Sequence, residues 1–262
     1  MYFIVVLGTA GSGKSYITAA LADWMEDNEL GVARVNLDPA AEWIPYTPDV
    51  DVRNYVDARD LMTKMGLGPN GALVAAVDMM VSHLESLVNE IRETEANYVI
   101  LDTPGQMELF AFRSTGPVVL SSIIGGARSA GVFLVDPLFA SRPSSLLSVL
   151  LLYTSVRVRV NMPLVPVLSK ADIVSADTIQ EIRRMLEEPP YFEDRLYQEG
   201  VEPGIVEIAR SLSEAYAAGE SMVELVEASA KTMAGIDAVY AALQQVLVGG
   251  EDYLTEEPSP RI

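Results

Sequence analysis

The chain has 262 residues, half of them hydrophobic, which is enough to bury the core of one large α/β domain, with or without an insertion. Its formal net charge of −19 argues against general binding to nucleic-acid phosphates and disfavours docking on anionic lipid. The lack of cysteine excludes disulfides, thiolate catalysis and cysteine-ligated zinc. No signal peptide is visible, and the most apolar window, 146–153, is too short to cross a bilayer, so we expect a soluble, cytoplasmic protein.

The first motif, Gly8-Thr9-Ala10-Gly11-Ser12-Gly13-Lys14-Ser15, follows an apolar run at 2–7 and precedes a helical pattern. Strand, glycine-rich loop and helix with the spacing G-x-x-x-x-G-K-S are typical of a phosphate-binding P-loop. Lys14 is expected to reach the β- and γ-phosphates, and the Ser15 hydroxyl to ligate Mg²⁺. The residues of this stretch expected to bind a nucleoside triphosphate are Gly11, Ser12, Gly13, Lys14, Ser15 and Tyr16.

A second strand, within 31–38, ends in Asp38, and Pro39 then blocks regular structure. Ligands of parallel sheets bind beyond the carboxyl ends of the strands, which places Asp38 near the phosphates. The alternative is an ordinary turn or helix-capping residue. The segment 42–60, rich in Pro and Asp, is a candidate mobile switch. A helix at 57–65, a break at 66–71 containing Gly-Pro-Asn-Gly, and an amphipathic helix at 72–95 follow.

A third motif, Asp102-Thr103-Pro104-Gly105-Gln106, ends an apolar strand at 98–101. Asp102 is expected to hold a water of the Mg²⁺ shell, and the Gly105 N–H to contact the γ-phosphate and act as a pivot. Gln106 and Glu108 can each hydrogen-bond an attacking water. Glu108 has an alternative role as a solvated helix residue.

The stretch 164–172 is predicted to be a strand that ends in Ser169-Lys170-Ala171-Asp172. The Asp172 carboxylate can accept from both N1–H and the exocyclic amine of guanine, while the Lys170 stem covers the ring. Further along the chain, Ser229 and Ala230 close the last predicted strand, and their backbone N–H groups can contact the guanine O6. The alternative for Ser169, Lys170 and Asp172 is a strand end with surface charges.

The remaining segments carry no assigned chemistry. A strand at 130–136 is followed by a leucine-rich run through 152, mostly core, of which part could form a groove for a partner helix. An acidic helical insertion spans about 175–220, and a strand at 222–227 and a helix at 236–248 complete the domain. Residues 249–262 are expected to form a flexible acidic tail.

These motifs in this order, with Asn36-Leu37-Asp38-Pro39-Ala40 and Gly68-Pro69-Asn70 between the first and third, resemble the GPN-loop GTPases, and the compact chain resembles their archaeal form. The resemblance, covering 1–248, implies an α/β three-layer P-loop NTPase fold, a mostly parallel sheet flanked by helices with helical insertions. It also implies a homodimer in which Asn70, from the GPN loop at about 66–71, acts on the γ-phosphate region of the other subunit. The same resemblance implies a group around Mg²⁺ and the attacking water that consists of Asp38, Asp102, Gln106 and Glu108.

The leading hypothesis is therefore a Mg²⁺-dependent GTPase that converts GTP to GDP and phosphate and acts as a dimeric switch or assembly factor. Thr9 and Ala10 occupy the place where related dimeric NTPases often carry a second lysine, and no arginine finger is evident, so we expect slow intrinsic turnover. The alternatives are a P-loop kinase and a nucleotide-gated scaffold. A client in RNA polymerase assembly is an expectation by family analogy alone, without direct nucleic-acid or membrane binding.

Overall fold

A single parallel sheet organises the chain. A computed structural model describes residues 1–217 and 224–248, without the side chains of 108, 109 and 217. The strands in chain order are β1 (Tyr2–Gly8), β2 (Val32–Asn36), β3 (Val50–Asp51), β4 (Tyr98–Asp102), β5 (Ser129–Val135), β6 (Leu164–Leu168) and β7 (Val226–Glu227). Their spatial order is β3-β2-β4-β1-β5-β6-β7, and every pairing is parallel. All carboxyl ends therefore meet at one edge.

Helices cover both faces of the sheet. They are α1 (Lys14–Asp27), α2 (Ala58–Met65), α3 (Pro69–Met80), α4 (Leu84–Glu93), α5 (Met107–Ala111), α6 (Thr115–Ile124), α7 (Pro137–Ala140), α8 (Pro143–Val160), α9 (Ala176–Glu187), α10 (Pro189–Gln198), α11 (Pro203–Ala217) and α12 (Ile236–Val248). Ile4 and Val6 of β1 pack with residues of α1 and α12, whereas Val5 and Leu7 pack with residues of α3, α4, α6 and α8. Successive strand side chains point to opposite faces, so β1 is buried on both sides. The predicted three-layer P-loop fold is confirmed.

The region between β2 and β4 differs from the prediction. The segment 42–60, predicted as a mobile loop, contributes the edge strand β3 and a 3-10 turn at 52–54. The predicted break at 66–71 ends earlier, because Pro69 occupies the first position of α3, where its fixed φ suits a helix and its missing N–H costs nothing. The helix predicted at 72–95 is divided by a second 3-10 turn at 81–83.

The run Pro69–Glu93 is long and apolar enough to cross a membrane by length and composition alone, since an 18-residue window of it has a mean hydropathy of 1.4. Core helices of soluble proteins meet the same criteria. Here Val77, Met80 and Leu87 are buried in the cluster that packs against the sheet. One third of the apolar window is buried, so part of the run is core.

The leucine-rich run lies in α8 and is mostly core. Leu146, Leu147 and Leu150 are buried, and Leu151 is exposed. The acidic region after β6 contains α9, α10 and α11. The predicted beginning of the last strand at 222–223 and the predicted tail at 249–262 lie outside the described residues.

Candidate nucleotide-binding site

The P-loop joins the central strand β1 to the first helix. Gly13 precedes α1 with a φ of 94°, and its carbonyl accepts the first helical hydrogen bond, from the Ile17 N–H at 2.9 Å. A side chain would strain the backbone in this left-handed conformation, which explains why glycine stands here. The free N–H groups at the start of α1 and its positive dipole end favour an anion beside Lys14.

Lys14 lies inside the loop, with 5% of its surface exposed. Its ammonium donates to the carbonyl oxygens of Gly8 at 2.9 Å, Thr9 at 3.0 Å and Gly105 at 3.3 Å. The first two belong to the P-loop and the third to the loop after β4. The lysine thus connects the two loops that sequence analysis assigned to the phosphates.

Asp38 follows β2 and reaches the loop after β4. Its Oδ2 accepts the Gly105 N–H at 3.0 Å, and its Oδ1 accepts the Ala40 N–H at 2.9 Å. The Asp38 N–H in turn donates to the buried Asn36 Oδ1 at 3.0 Å. Asp38 is therefore both a turn-capping residue and a member of the site, and it holds the N–H that was predicted to contact the γ-phosphate.

Asp102 ends β4 and is 1% exposed. Its Oδ2 accepts the Tyr46 hydroxyl at 2.9 Å. Burial raises the pKa of Asp102 to about 6, against the lowering effects of the Ser15 and Tyr46 hydroxyls and of the Lys14 charge. Burial and the adjacent Asp102 charge also raise the pKa of Tyr46, which keeps its hydroxyl a donor.

Three buried polar atoms at this site make no hydrogen bond within the described residues: Ser12 Oγ, Asp102 Oδ1 and Gln106 Oε1. Buried polar groups are normally paired, so unpaired ones mark places that a ligand, an ion or water can satisfy. Among the described residues, no group of three or more acidic or histidine side chains can hold a metal ion. The few oxygen ligands predicted here, from Ser15, Asp38 and Asp102, still fit Mg²⁺, because this ion keeps several waters and is usually bound by one or two protein groups together with substrate phosphates.

A cavity of about 430 Å³ adjoins the P-loop on the side of β6. Its lining residues are Ser12, Gly13, Tyr16, Ile17, Ser169, Lys170, Asp172, Ile173, Ala230 and Lys231. The structure thus brings the P-loop together with the two segments that were predicted to contact a base.

Two hydrogen bonds orient the charged groups of this cavity. The Ser229 hydroxyl donates to Asp172 Oδ1 at 2.6 Å. The Lys170 ammonium donates to Asp136 Oδ2 at 2.9 Å. The Ser169 hydroxyl reaches back to the Ser12 carbonyl at 2.8 Å and joins the base side to the phosphate side.

The roles of two predicted residues, Asn70, which is expected to act on the other subunit, and Glu108, stay predictions. Asn70 lies exposed in the first turn of α3. Glu108 belongs to α5, and its side chain lies outside the described part of the chain. Sequence analysis missed two residues that touch site groups, Tyr46 and Asp136. Tyr46 had no recognisable motif around it, whereas Asp136 at the end of β5 could have been found by its position at the carboxyl edge.

Comparison with known proteins gives one family and several relatives. Residues 6–248 match the model of a family described as conserved hypothetical ATP binding protein. The chain is 34% identical over 195 residues to a GPN-loop GTPase from Pyrococcus abyssi, covering 74% of this chain and 77% of that one. It is 29% identical over 252 residues to GPN-loop GTPase 1 from Dictyostelium discoideum, covering 95% of this chain and 62% of the relative. The chain therefore spans less than two thirds of the length of that longer relative.

A solved structure agrees with the sequence matches. The crystal structure of a GTPase in apo form from Pyrococcus abyssi superposes with a TM-score of 0.82 at 30% sequence identity. The match covers 94% of this chain and 97% of that chain. The likeness thus extends over the whole fold and is not restricted to the P-loop.

Proposed function

The chain belongs to the GPN-loop GTPase family, and we propose that it hydrolyses GTP to GDP and phosphate in a Mg²⁺-dependent reaction. The observation that carries the proposal is the cavity shared by the P-loop and the segments at 169–173 and 230–231. Asp172 in this cavity offers a carboxylate to the two adjacent donors on guanine, whereas adenine presents no such pair. The guanine preference is part of the proposal, because the matching family description refers to ATP.

The phosphate side is built from backbone N–H groups and Lys14. The ammonium of Lys14 bonds three carbonyl oxygens of the loops that would surround the β- and γ-phosphates. A phosphate oxygen competes well with a carbonyl for an ammonium because both partners are charged. The Gly105 N–H, now donated to Asp38 Oδ2, is a second donor that a γ-phosphate oxygen can take over.

Ser15 and Asp102, with Asp38 beside them, are the residues proposed to hold Mg²⁺. The buried Asp102 Oδ1, which has no hydrogen-bond partner in the ranges that the structure describes, supports this assignment, since a carboxylate oxygen that lacks a partner is costly to bury. When bound, Mg²⁺ neutralises charge on the phosphate oxygens and orients them.

Gln106 and Glu108 are proposed to orient the attacking water. The Gln106 Oε1 is buried and has no hydrogen-bond partner in the described part of the chain, so it can accept a hydrogen bond from that water. Hydrolysis places the water in line with the leaving diphosphate oxygen, so the work of this chain is positioning and charge stabilisation. We expect slow intrinsic turnover, because no arginine occurs in the P-loop or in 102–106.

Asn70 is proposed to act across a homodimer as a neutral donor near the γ-phosphate of the other subunit. Its exposure at the first turn of α3 leaves it accessible to a partner. Met65, four residues before Pro69, is a large apolar side chain that is 62% exposed, which suits burial in such an interface. In this scheme, nucleotide exchange and hydrolysis change the dimer arrangement and make the protein a switch or assembly factor.

The first experiment measures phosphate release from GTP and from ATP with and without Mg²⁺. We expect activity with GTP that is lost on Mg²⁺ removal and in Lys14→Ala. Equal rates with GTP and ATP would contradict base selection, and rates unaffected by chelation would contradict the Mg²⁺ assignment.

The second experiment tests action between subunits. Asn70→Ala and Lys14→Ala homodimers are expected to be nearly inactive alone and to regain activity when mixed, because one of the two sites in a mixed dimer then has both residues intact. Activity that stays at the level of the separate variants in mixtures shown to exchange subunits would contradict action in trans.

A further inference from the structure

Tyr46 connects the segment between β2 and β3 to the proposed metal site. Its hydroxyl donates to Asp102 Oδ2 at 2.9 Å, although the two residues are far apart in the chain. Most of this side chain is withdrawn from water, so the hydrogen bond competes little with solvent.

This hydrogen bond gives the two oxygens of the Asp102 carboxylate different surroundings. Oδ2 has the tyrosine as its partner, and Oδ1 is buried with none among the described residues. A hydrogen bond to one oxygen restricts rotation of the carboxyl group, so the other oxygen keeps one position. Hydrogen-bonded partners of this kind orient metal-site carboxylates and contribute about 10–100-fold in metal affinity or activity.

The same segment has a second attachment beside the P-loop. The Trp43 ring lies 6.0 Å from the Tyr16 ring, centroid to centroid, and the two residues are 67% and 55% exposed. Tyr16 follows Ser15 directly on α1. Trp43 and Tyr46 therefore contact, from one short segment, the two elements α1 and β4 that carry two of the proposed metal residues, Ser15 and Asp102.

We propose that Tyr46 is a positioning residue for the Mg²⁺ site and that, through it, the segment 42–49 responds to occupation of that site. The proposal rests on the proposed function, since it requires Mg²⁺ to bind with the nucleotide. Asp102 is the group that meets the metal's water shell, and Tyr46 acts only through Asp102. Nothing in the motif set of the sequence assigns Tyr46 this role.

The test compares Tyr46→Phe with a matched control, Tyr55→Phe. Both substitutions remove one hydroxyl that donates to a carboxylate, but Tyr55 donates to Glu90 Oε2 at 2.6 Å, away from the site. Binding of a non-hydrolysable GTP analogue is measured as Mg²⁺ is raised from a chelated baseline. In Tyr46→Phe we expect an unchanged baseline affinity and about a tenfold higher Mg²⁺ concentration for half-maximal enhancement. Tyr55→Phe should titrate like the wild type.

A second readout follows the segment itself. The chain has two tryptophans, so Trp24→Phe leaves Trp43 as the sole reporter. In this background, Mg²⁺ added to the nucleotide complex should change Trp43 fluorescence, and Tyr46→Phe should remove at least half of that change at Mg²⁺ saturation.

The outcomes separate the two proposals. If the wild type binds the analogue equally well with and without Mg²⁺, the Mg²⁺-dependent function is wrong and the inference is wrong with it. If the wild type depends on Mg²⁺ and Tyr46→Phe shows the same titration and the same fluorescence change, Tyr46 is a structural residue and the inference alone is overturned. A lowered melting temperature in Tyr46→Phe with an unshifted Mg²⁺ titration also overturns it.

Discussion

Base selection by Asp172 is the part of the site most open to a decisive test, and Asp172→Asn is the sharpest perturbation. Asparagine has nearly the same shape, and its side-chain oxygen can still accept the hydrogen bond from Ser229 that holds Asp172 at 2.6 Å. What changes is the second position, where a carboxylate oxygen becomes an amide N–H₂. This group meets the guanine amine as donor against donor, whereas the 2-carbonyl of xanthine would accept from it.

The size of the effect follows from the bonds lost and from the exposure of the site. The hydrogen bond lost at the second position has a charged acceptor and is worth about 1.5–3 kcal/mol, and leaving the guanine amine opposite another donor costs about 1–3 kcal/mol more. Asp172 is exposed in the cavity, so the lower end applies. About 3 kcal/mol corresponds to roughly a hundredfold weaker GTP binding.

The assay is competition binding of GTP, xanthosine triphosphate and ATP to the wild type and to Asp172→Asn. We expect the variant to lose about a hundredfold in GTP affinity, to prefer xanthosine triphosphate, and to keep its weak ATP affinity. A variant that still prefers GTP would refute base recognition by Asp172. Equal weakening for all three nucleotides would show a structural role for this carboxylate.

Three further predictions concern other parts of the site. Because burial raises the pKa of Asp102 to about 6 from 3.8, the folded chain binds more protons than the unfolded chain between about pH 4 and 6. The free energy of unfolding of the nucleotide-free protein should therefore fall as pH rises through this window. Asp102→Asn should remove this pH dependence and, in urea unfolding, stabilise the protein above pH 6 by on the order of 2–3 kcal/mol. The same variant should lose Mg²⁺-dependent nucleotide binding. An unchanged slope in the variant would mean that another group titrates. Gly71→Ala, within α3 where an added Cβ meets only Leu67 at 3.9 Å, should raise stability by up to about 1 kcal/mol. If its GTPase rate nevertheless falls, the cause lies in contact with a second subunit, and an unaltered rate would argue against close approach there. Asp136→Asn removes the charged partner of Lys170, and we expect GTP affinity to fall several-fold, because an unheld Lys170 stem covers a bound base less often. The stem packs on the face of either purine, so ATP affinity should fall by a similar factor, and an unchanged GTP affinity would contradict a role at the base.

The strands and loops that carry motifs could be predicted from the sequence, because hydrophobic periodicity and glycine placement are local signals. The helix at 236–248 has the predicted bounds for this reason, and the strand predicted at 164–172 begins where it was predicted but ends at Leu168. β3, by contrast, has two residues and exists only because β2 offers it an unpaired edge, a non-local condition that no window of sequence reveals. The start of α3 at Pro69 was missed because Gly-Pro-Asn-Gly is equally compatible with a turn and with the first turn of a helix.

The candidate site shows the same division between local and non-local information. Lys14, Asp38, Asp102 and Gly105 were placed by strand ends that share one edge of a parallel sheet, and they are brought together there. The partner of Asp102 was not predictable, since Tyr46 reaches it from a segment whose path depends on β3 and on the Arg53 side chain, which donates to the Ala41 carbonyl at 2.9 Å. A residue such as Tyr46, which acts by positioning another side chain, belongs to no sequence motif by which it could be found.

The strand order has a consequence for when parts of the sheet can form during synthesis on the ribosome. β1 precedes the other strands in the chain, but it lies at the centre of the sheet between β4 and β5, so the P-loop strand lacks one or both of its neighbours until residue 135 has emerged from the ribosome. Closing these long loops is entropically costly and slow. The segment at 230–231 that lines the base cavity is made later still. A nucleotide held through both its phosphates and its base can therefore stabilise the fold only after residue 231 has been made.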